Sequence, residues 1–135
     1  MTEPAMTDAE LLAAAKAVAE NAYAPYSEFR VGAAVLADDG TVYTGANVEN
    51  AAYPSGLCAE AVAIGHAVAS GARRIEAVAT ACLDGPGCTP CGQCRQRMSE
   101  FGVERVILET VAGDADARPF SEILPGHFGR EHLEG

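Results

Sequence analysis

Short apolar runs alternate with helical segments along this chain, and this order restricts the fold more than any other feature of the sequence. Each run is too short for a good helix and contains the valine or isoleucine typical of a buried strand. The turn Asp38-Asp39-Gly40 joins the first two runs into a hairpin. Strands are therefore predicted at residues 31–37, 41–46, 75–82 and 103–109.

Three helices are predicted before and between these strands. Thr7 and Glu10 have the spacing of a capping box, and an apolar stripe at helical spacing follows over residues 11–22. Two further helices are predicted at residues 58–70 and 90–101. The order α-β-β-α-β-α-β predicts one sheet flanked by helices, with parallel crossovers after the opening hairpin.

Length and charge limit the classes of function. The chain has 135 residues and a mass of 13.9 kDa, which predicts one domain over residues 1–135. Its net charge of −10 disfavours nucleic acid as a partner, because such binding depends on Lys and Arg. The first residues are acidic where a secretory signal is basic, and no apolar run approaches the ~20 residues of a membrane span. We expect a cytoplasmic protein without a membrane partner.

The five cysteines favour a metal or catalytic thiols over disulfides, because their number is odd and no secretory signal precedes them. Cys91 and Cys94 are three residues apart at the start of a predicted helix, so their sulfurs point the same way. Cys58 begins another predicted helix. A catalytic zinc site uses three protein ligands and leaves a fourth position for water, and these cysteines supply that number. Glu60 would lie beside that water without being a ligand.

Three other interpretations of the cysteines remain open. Cys88, Cys91 and Cys94 are spaced like part of an iron–sulfur run, although no fourth cysteine follows at this spacing. Together with Cys58 they could close a structural zinc site, which leaves Glu60 without a role. Cys91 and Cys94 alone could form a thioredoxin-like redox pair.

The two cysteine segments together match a known signature. Cys58-Ala-Glu60 followed by Pro90-Cys91-Gly-Gln-Cys94 has the pattern of zinc-dependent base deaminases, in which the glutamate is the general acid and base. Nearly the whole chain resembles the small homo-oligomeric cytidine deaminases. The blocks that carry this resemblance are Tyr23-Ala-Pro-Tyr-Ser-x-Phe29-x-Val-Gly-Ala-Ala34, Asn47-Val-Glu-Asn-Ala-Ala-Tyr53, the two cysteine segments and Leu124-Pro-Gly-His-Phe128.

The resemblance implies a fold and a set of ligands. The fold would be an α/β three-layer α/β/α sandwich with a mixed, five-stranded sheet, so a fifth strand is expected between residues 111 and 120. Cys58, Cys91 and Cys94 would bind one Zn²⁺ per subunit, and Glu60 would shuttle the proton.

The resemblance also implies which residues bind the substrate. Asn47 and Glu49 would hold the ribose 3′-hydroxyl, although the residues alone allow both to cap a turn. Phe29 would stack on the pyrimidine. The sequence alone equally allows Phe29 and Phe128 to be ordinary core residues. Tyr53 and Phe128 would reach in from neighbouring subunits, so that the site is complete only in an oligomer, usually a tetramer. The implied substrate-binding residues are Phe29, Asn47, Glu49, Tyr53, Ala59 and Phe128.

Two features depart from the family pattern. Many members have arginine directly after the glutamate, where it hydrogen-bonds a ligand sulfur, whereas this chain has Ala61. Three thiolates leave excess negative charge on the zinc site, and we expect Arg95, next to Cys94, to offset it together with the helix ends. The segment Cys58-Ala-Glu-Ala-Val-Ala-Ile-Gly65 is also similar to blasticidin-S deaminase, which acts on a cytosine-nucleoside antibiotic.

The implied function is the hydrolytic deamination of cytidine and 2′-deoxycytidine to uridine and 2′-deoxyuridine, with release of ammonia, in pyrimidine salvage. Water activated by zinc would attack C4 of the base. Deamination of an analogue such as blasticidin S is the main alternative. A tRNA- or DNA-editing deaminase is disfavoured by the charge, and a non-enzymatic zinc module remains a further alternative.

Overall fold

The structure is a computed structural model that describes residues 6–134, and its strands form one mixed sheet in the order β2-β1-β3-β4-β5. β3 and β4 pair in parallel, and the other neighbouring strands are antiparallel. The predicted fifth strand is confirmed. The strands are β1 Val31–Ala37, β2 Val42–Ala46, β3 Ile75–Cys82, β4 Arg105–Glu109 and β5 Ala115–Pro119.

The first three of the four α-helices lie close to the predicted positions. The capping box of α1 is present, because the Thr7 hydroxyl accepts from the Glu10 amide and the Glu10 carboxylate accepts from the Thr7 amide. The regular helix is shorter than predicted: after residue 18 the chain tightens into a 3₁₀ turn, Ala19–Asn21. The helices are α1 Asp8–Val18, α2 Ala59–Ala69, α3 Gly92–Glu100 and α4 Phe120–Ile123.

The helices cover both faces of the sheet in three layers. On one face, α1 packs against alternate residues of β1 and β3. On the other face, α2, α3 and α4 pack against the remaining alternate residues. The connection through α2 joins β2 to β3, which run in the same direction with β1 between them. Both helical connections after the hairpin therefore link parallel strands, as predicted. No helix within residues 6–134 is long and apolar enough to cross a membrane.

Two glycines on neighbouring strands allow close helix packing. A Cβ at Gly32 would clash with the backbone of Ala15 in α1. A Cβ at Gly45 would clash with the backbone of Ala63 in α2. Because α2 lies directly on the backbone of β2, its first turn is held at a fixed height above the sheet. That turn carries Cys58 and Glu60.

Candidate active site

The N-termini of α2 and α3 bring three cysteine sulfurs together. Cys58 is the N-cap residue of α2, and Cys91 is the N-cap residue of α3. Cys94 lies in the first turn of α3 and is buried. The three Sγ atoms lie within 4.8 Å of one another, and those of Cys58 and Cys91 are 3.9 Å apart.

These positions fit tetrahedral zinc. A Zn–S bond of about 2.3 Å with tetrahedral angles places two sulfurs about 3.8 Å apart, close to the separation of Cys58 and Cys91. Neither helix has a side-chain cap, so the N–H groups of both first turns remain available to the sulfur atoms. Three thiolates on two positive helix ends are a suitable donor set for a divalent cation that prefers sulfur.

The ionisation of the three thiols is coupled through their proximity. Burial raises the pKa of Cys58, and burial together with the Glu60 charge raises that of Cys94 well above its ordinary value. Burial opposes ionisation of Cys91 too, but hydrogen bonds from the amides of Cys94 and Gln93 lower its pKa. The protein alone therefore does not favour ionisation of all three thiols. A bound dication does, because its charge stabilises each thiolate.

Cys88 does not join this cluster. Among residues 6–134, the group that could hold a metal contains Cys58, Cys91 and Cys94 alone. The backbone of Cys88 instead pairs with Glu109 at the end of β4. A structural zinc site closed by Cys88 and an iron–sulfur run through Cys88 both need its sulfur beside the others, so this geometry supports neither.

Glu60 lies beside the cysteines in the first turn of α2, where it is 3% exposed. Burial raises the pKa of its carboxyl, while the Thr80 hydroxyl and the Arg97 charge act in the opposite direction. A buried carboxyl with a raised pKa can accept and return a proton closer to neutral pH than an exposed one. The position and the environment both suit a general acid and base.

A cavity of about 690 Å³ opens over Glu60 and two of the three clustered cysteines, Cys58 and Cys91. This volume lies within the usual range for small-molecule sites. Among the residues that the structure describes, no Lys, Arg or His lines it, so its formal charges are those of Glu49 and Glu60 and of any thiolate. The sequence-predicted residues that line this cavity are Phe29, Asn47, Glu49, Tyr53, Cys58, Ala59, Glu60 and Cys91.

Asn47 and Glu49 organise the chain segment that carries Phe29. The Asn47 side-chain amide accepts from the Val31 amide at 2.9 Å and donates to the Phe29 carbonyl at 3.0 Å. The Glu49 carboxylate accepts from the amides of Tyr26 and Ser27 at 3.0 and 3.1 Å and from the Ser27 hydroxyl. These hydrogen bonds, led by that of the Ser27 hydroxyl, lower the pKa of Glu49 and keep it charged at the cavity.

Phe29 packs against the loop that leads to α3. Its ring lies so close to Gly85 that a Cβ there would clash with it. The two segments are joined next to this contact, where the Asp84 carboxylate accepts from the Arg30 guanidinium at 2.9 Å and from the Arg30 amide at 2.8 Å. Phe29 is 39% exposed at the cavity wall and is not a core residue.

Comparison with known proteins assigns the chain to a family. The family model described as the cytidine and deoxycytidylate deaminase zinc-binding region matches residues 5–110. That stretch includes Glu60 and all three clustered cysteines, and it covers well over half of the chain. The chain belongs to the cytidine and deoxycytidylate deaminase family. Its fold and its three-cysteine site are those of a zinc-dependent deaminase.

Individual relatives match this chain along most of their length. The cytidine deaminase of Sporosarcina psychrophila is 46% identical over 127 residues, which are 92% of this chain and 93% of the relative. The cytidine deaminase of Mycobacterium tuberculosis is 43% identical over 119 residues, or 85% of this chain and 84% of the relative. A crystal structure of the Burkholderia pseudomallei cytidine deaminase matches with a TM-score of 0.82 at 44% identity, covering 91% of this chain and 100% of that chain.

The arginine that contacts a ligand sulfur in this deaminase is not the one predicted. Arg95 donates to the carbonyls of Pro90 and Ile123 and to the Thr89 hydroxyl, and within residues 6–134 it makes no hydrogen bond to a cysteine sulfur. Arg97 donates to Cys94 Sγ at 3.3 Å. The prediction for Arg95 is corrected for a geometric reason. In a helix, the residue three positions after Cys94 lies on its face, whereas the adjacent residue points elsewhere.

Tyr53 and Phe128 lie differently with respect to the cavity. Tyr53 is 76% exposed at the rim of the cavity in its own chain. Phe128 is 59% exposed and stacks on His132, with ring centroids 5.2 Å apart. Within residues 6–134, Phe128 is absent from the lining of the cavity of its own chain.

Sequence reasoning missed three residues at this site. The i, i+3 spacing of Cys94 and Arg97 was a readable signal for Arg97. Ser27, which binds Glu49, is part of the block Tyr23-Ala-Pro-Tyr-Ser and gave no signal of that partner. Thr80 lies on β3 and lines the cavity beside Glu60, and only the pairing register shows which face it occupies.

Proposed function

We propose that this chain is a zinc-dependent cytidine deaminase that hydrolyses cytidine and 2′-deoxycytidine to uridine and 2′-deoxyuridine and releases ammonia. One observation carries the proposal: a buried glutamate and two of three converging cysteine sulfurs line a cavity large enough for a nucleoside. The names of the most similar relatives agree with it. The unit would be a single deaminase domain over residues 1–135, acting in cytoplasmic pyrimidine salvage.

The chemistry divides between the metal and one carboxyl. Cys58, Cys91 and Cys94 would hold the zinc, which would lower the pKa of water and so provide a nucleophile for C4 at neutral pH. Glu60 accepts the proton that this water gives up and delivers it to N3 of the base. It then takes up the proton of the new hydroxyl at C4 and passes it to the 4-amino group, so that the C4–N bond breaks, ammonia leaves and the 4-oxo group of uridine forms. A positioned acid and base of this kind contributes about 10²–10⁴ in rate.

The residues that line the cavity indicate the contacts with the substrate. The Glu49 carboxylate, held charged by Ser27, would accept a hydrogen bond from the ribose 3′-hydroxyl, and Asn47 would use its remaining donor. Phe29 would stack on the pyrimidine from its position against Gly85. Ala59, which lines the cavity between Cys58 and Glu60, would contact the base.

The charge of the cavity favours a nucleoside over a nucleotide. The family includes deoxycytidylate deaminases, whose substrate carries a 5′-phosphate. A phosphate site needs Arg, Lys or a free helix N-terminus, and the N-termini of α2 and α3 at this cavity are occupied by the cysteine cluster. The described lining holds no basic side chain, while Glu49 and the net charge of −10 repel an anion.

We also propose that the enzyme is a homo-oligomer, a tetramer, with shared active sites. Large apolar side chains remain exposed on the rim of the cavity and at the C-terminal segment, which is typical of an interface. In a symmetric assembly, Phe128 of one copy can reach the cavity of another copy. The exposed residues that support this proposal are Tyr26, Val48, Tyr53, Leu57 and Phe128.

A substrate panel tests the activity. We expect ammonia release from cytidine and deoxycytidine, loss of activity on chelation and its return with zinc. Free cytosine should be a poor substrate, because unpaired polar groups at Asn47 and Glu49 discriminate by about 10⁴. Cytidine monophosphate should also react poorly. Faster turnover of blasticidin S would favour that substrate instead, and no deamination at all by zinc-loaded protein would leave only a structural zinc module.

The variant Glu60→Gln tests the assignment of the proton shuttle. It removes the ability to carry the proton and leaves the three sulfur ligands in place. We expect turnover to fall by about 10²–10⁴ while the zinc content stays at that of the unaltered protein. Near-normal turnover of this variant would show that another group moves the proton.

A further inference from the structure

The two carboxylate oxygens of Glu49 have different surroundings. Oε1 accepts from the backbone amides of Tyr26 and Ser27, at 3.0 and 3.1 Å, whereas Oε2 accepts from the Ser27 hydroxyl. Each carboxylate oxygen has two acceptor positions, so the amides fill those of Oε1 and the hydroxyl leaves one on Oε2. Glu49 and Ser27 both line the cavity. Among residues 6–134, Oε2 is therefore the Glu49 oxygen with acceptor capacity left for a substrate.

The direction of the Ser27 hydroxyl is fixed by its second partner. Its Oγ accepts from the Phe29 amide at 3.0 Å. The charged carboxylate of Glu49 can only accept, so the hydroxyl donates to Oε2. A hydroxyl that accepts from an amide is polarised and donates more strongly to its other partner. The Glu49 carboxylate is thus held at both oxygens and cannot rotate without breaking a hydrogen bond.

The position of Phe29 does not depend on this hydroxyl alone. The Phe29 carbonyl accepts from the Asn47 side-chain amide at 3.0 Å, and its ring lies against Gly85. Ser27 itself is exposed, so its hydroxyl contributes little to the free energy of folding. Removing the hydroxyl should therefore leave the Phe29 side of the cavity in place and release Oε2 of Glu49.

We propose that Ser27 is a positioning residue that makes the site selective for a free 3′-hydroxyl on the sugar, by holding Oε2 of Glu49 where that hydroxyl can donate to it. The inference rests on the proposed function, in which Glu49 and Asn47 bind the ribose. The Asn47 side-chain nitrogen has a second N–H besides the one it donates to the Phe29 carbonyl, so the pair offers one donor and one acceptor. A hydroxyl matches both, and a sugar without it leaves both unpaired.

The test compares 2′-deoxycytidine with 2′,3′-dideoxycytidine, which differ only in the 3′-hydroxyl. The unaltered protein should have the higher kcat/KM for deoxycytidine. For Ser27→Ala, we expect kcat/KM for deoxycytidine to fall about tenfold, the effect of one hydrogen bond to a charged group. The value for dideoxycytidine should stay within about twofold. A role in the fold alone would lower both values together.

Two further variants complete the test. Ser121→Ala is the matched control, because it removes an exposed hydroxyl from α4, and no residue of α4 is in the described lining of the cavity. It should leave both values unchanged. Adding Ser27→Ala to Glu49→Ala should cause no further loss with deoxycytidine, because the hydroxyl acts through the carboxylate.

Three outcomes would overturn the inference while the proposed function stands. They are unchanged selectivity of Ser27→Ala, equal losses on both substrates, and a further loss in the double variant. An unaltered protein that deaminates both nucleosides equally well would overturn the ribose contact of Glu49 together with the role of Ser27. An unaltered protein that deaminates neither would overturn the proposed function itself.

Discussion

At the scale of single residues, the charge of the zinc site is set by one side chain that the sequence pattern did not single out. Three thiolates outweigh the charge of a zinc ion, and the Glu60 carboxylate adds a further negative charge beside them. Arg97 donates to Cys94 Sγ at 3.3 Å and also lowers the pKa of Glu60. Arg97 therefore has the role for which Arg95 was predicted. It supplies the positive charge that Ala61 does not.

Removing this guanidinium should weaken zinc binding. The positive charge stabilises the thiolates of the loaded site more than the thiols of the metal-free site, so its loss penalises the loaded form. For Arg97→Gln we expect the affinity for Zn²⁺ to fall about 10- to 100-fold, as for other residues that support metal ligands. Competition with a chelator of known affinity measures this. Arg118→Gln changes the net charge equally at an exposed site, paired with Asp116, and should leave the affinity unchanged.

Equal affinities of the Arg97→Gln and Arg118→Gln proteins would contradict this role.

The residues that the sequence did predict share one property; they are Cys58, Cys91, Cys94 and Glu60. Their relative positions are fixed within the first turns of two helices, where sequence spacing determines geometry. Contacts such as that of Asn47 with the Phe29 backbone depend on how distant segments dock, and spacing carries no information about them.

At the scale of elements, helices and buried strands were readable because each has a local signal in the sequence, either an apolar pattern or proline and glycine at its ends. β5 has none: it is an edge strand, Ala115–Pro119, with exposed polar residues and a terminal proline. It was expected only through the resemblance to the family. The position of β1 between β2 and β3 was also not readable, because strand order depends on pairing between distant segments.

One buried carboxylate ties three of these elements together. Glu109 ends β4 and is 5% exposed. Its carboxylate accepts from Lys16 of α1 at 2.7 Å and from the amide of Cys82, the last residue of β3, at 3.1 Å. Burial alone would raise the pKa of Glu109, but the Lys16 ammonium and the Cys82 amide together lower it. The ion pair therefore favours the charged form in the folded state.

Lys16→Met should destabilise the fold by about 1–2 kcal/mol at pH 7, because Glu109 is left charged and buried without its cation. The folded-state pKa of Glu109 is depressed, so its contribution is present above the unfolded pKa, near 4.3, and is lost as the pH falls through the folded value. The difference between the two proteins should therefore shrink toward pH 4. Urea unfolding at several pH values measures it, with Lys16→Arg as the control that keeps the charge.

A stability difference that is constant with pH, or no difference at pH 7, would show that Lys16 does not stabilise the Glu109 carboxylate. The Lys16 side chain is 48% exposed, and solvent screens part of the interaction. The effect expected here is accordingly smaller than that of a fully buried pair.

At the scale of the whole molecule, net charge and exposed aromatic groups determine which partners the protein can bind. A net charge of −10 keeps polyanions away from the cavity. The exposed aromatic rings are concentrated near that cavity and on the C-terminal segment. Tyr53 lies on the rim of its own chain's cavity, but Phe128 does not line it, so a role for Phe128 in catalysis requires a second copy.

Mixing two inactive variants tests this requirement. Glu60→Gln removes the proton shuttle, and Phe128→Ala removes the aromatic ring that we propose is shared between copies. In mixed oligomers, some sites combine the intact Glu60 of one chain with the intact Phe128 of its neighbour. Random assembly of equal amounts would restore about one quarter of the sites, so deamination should rise to about that fraction of the activity of the unaltered protein. Refolding or co-expressing the two chains provides the mixture. Each variant assembled alone is the control. Activity that stays at the average of the two controls would show that each chain forms its site without its neighbour.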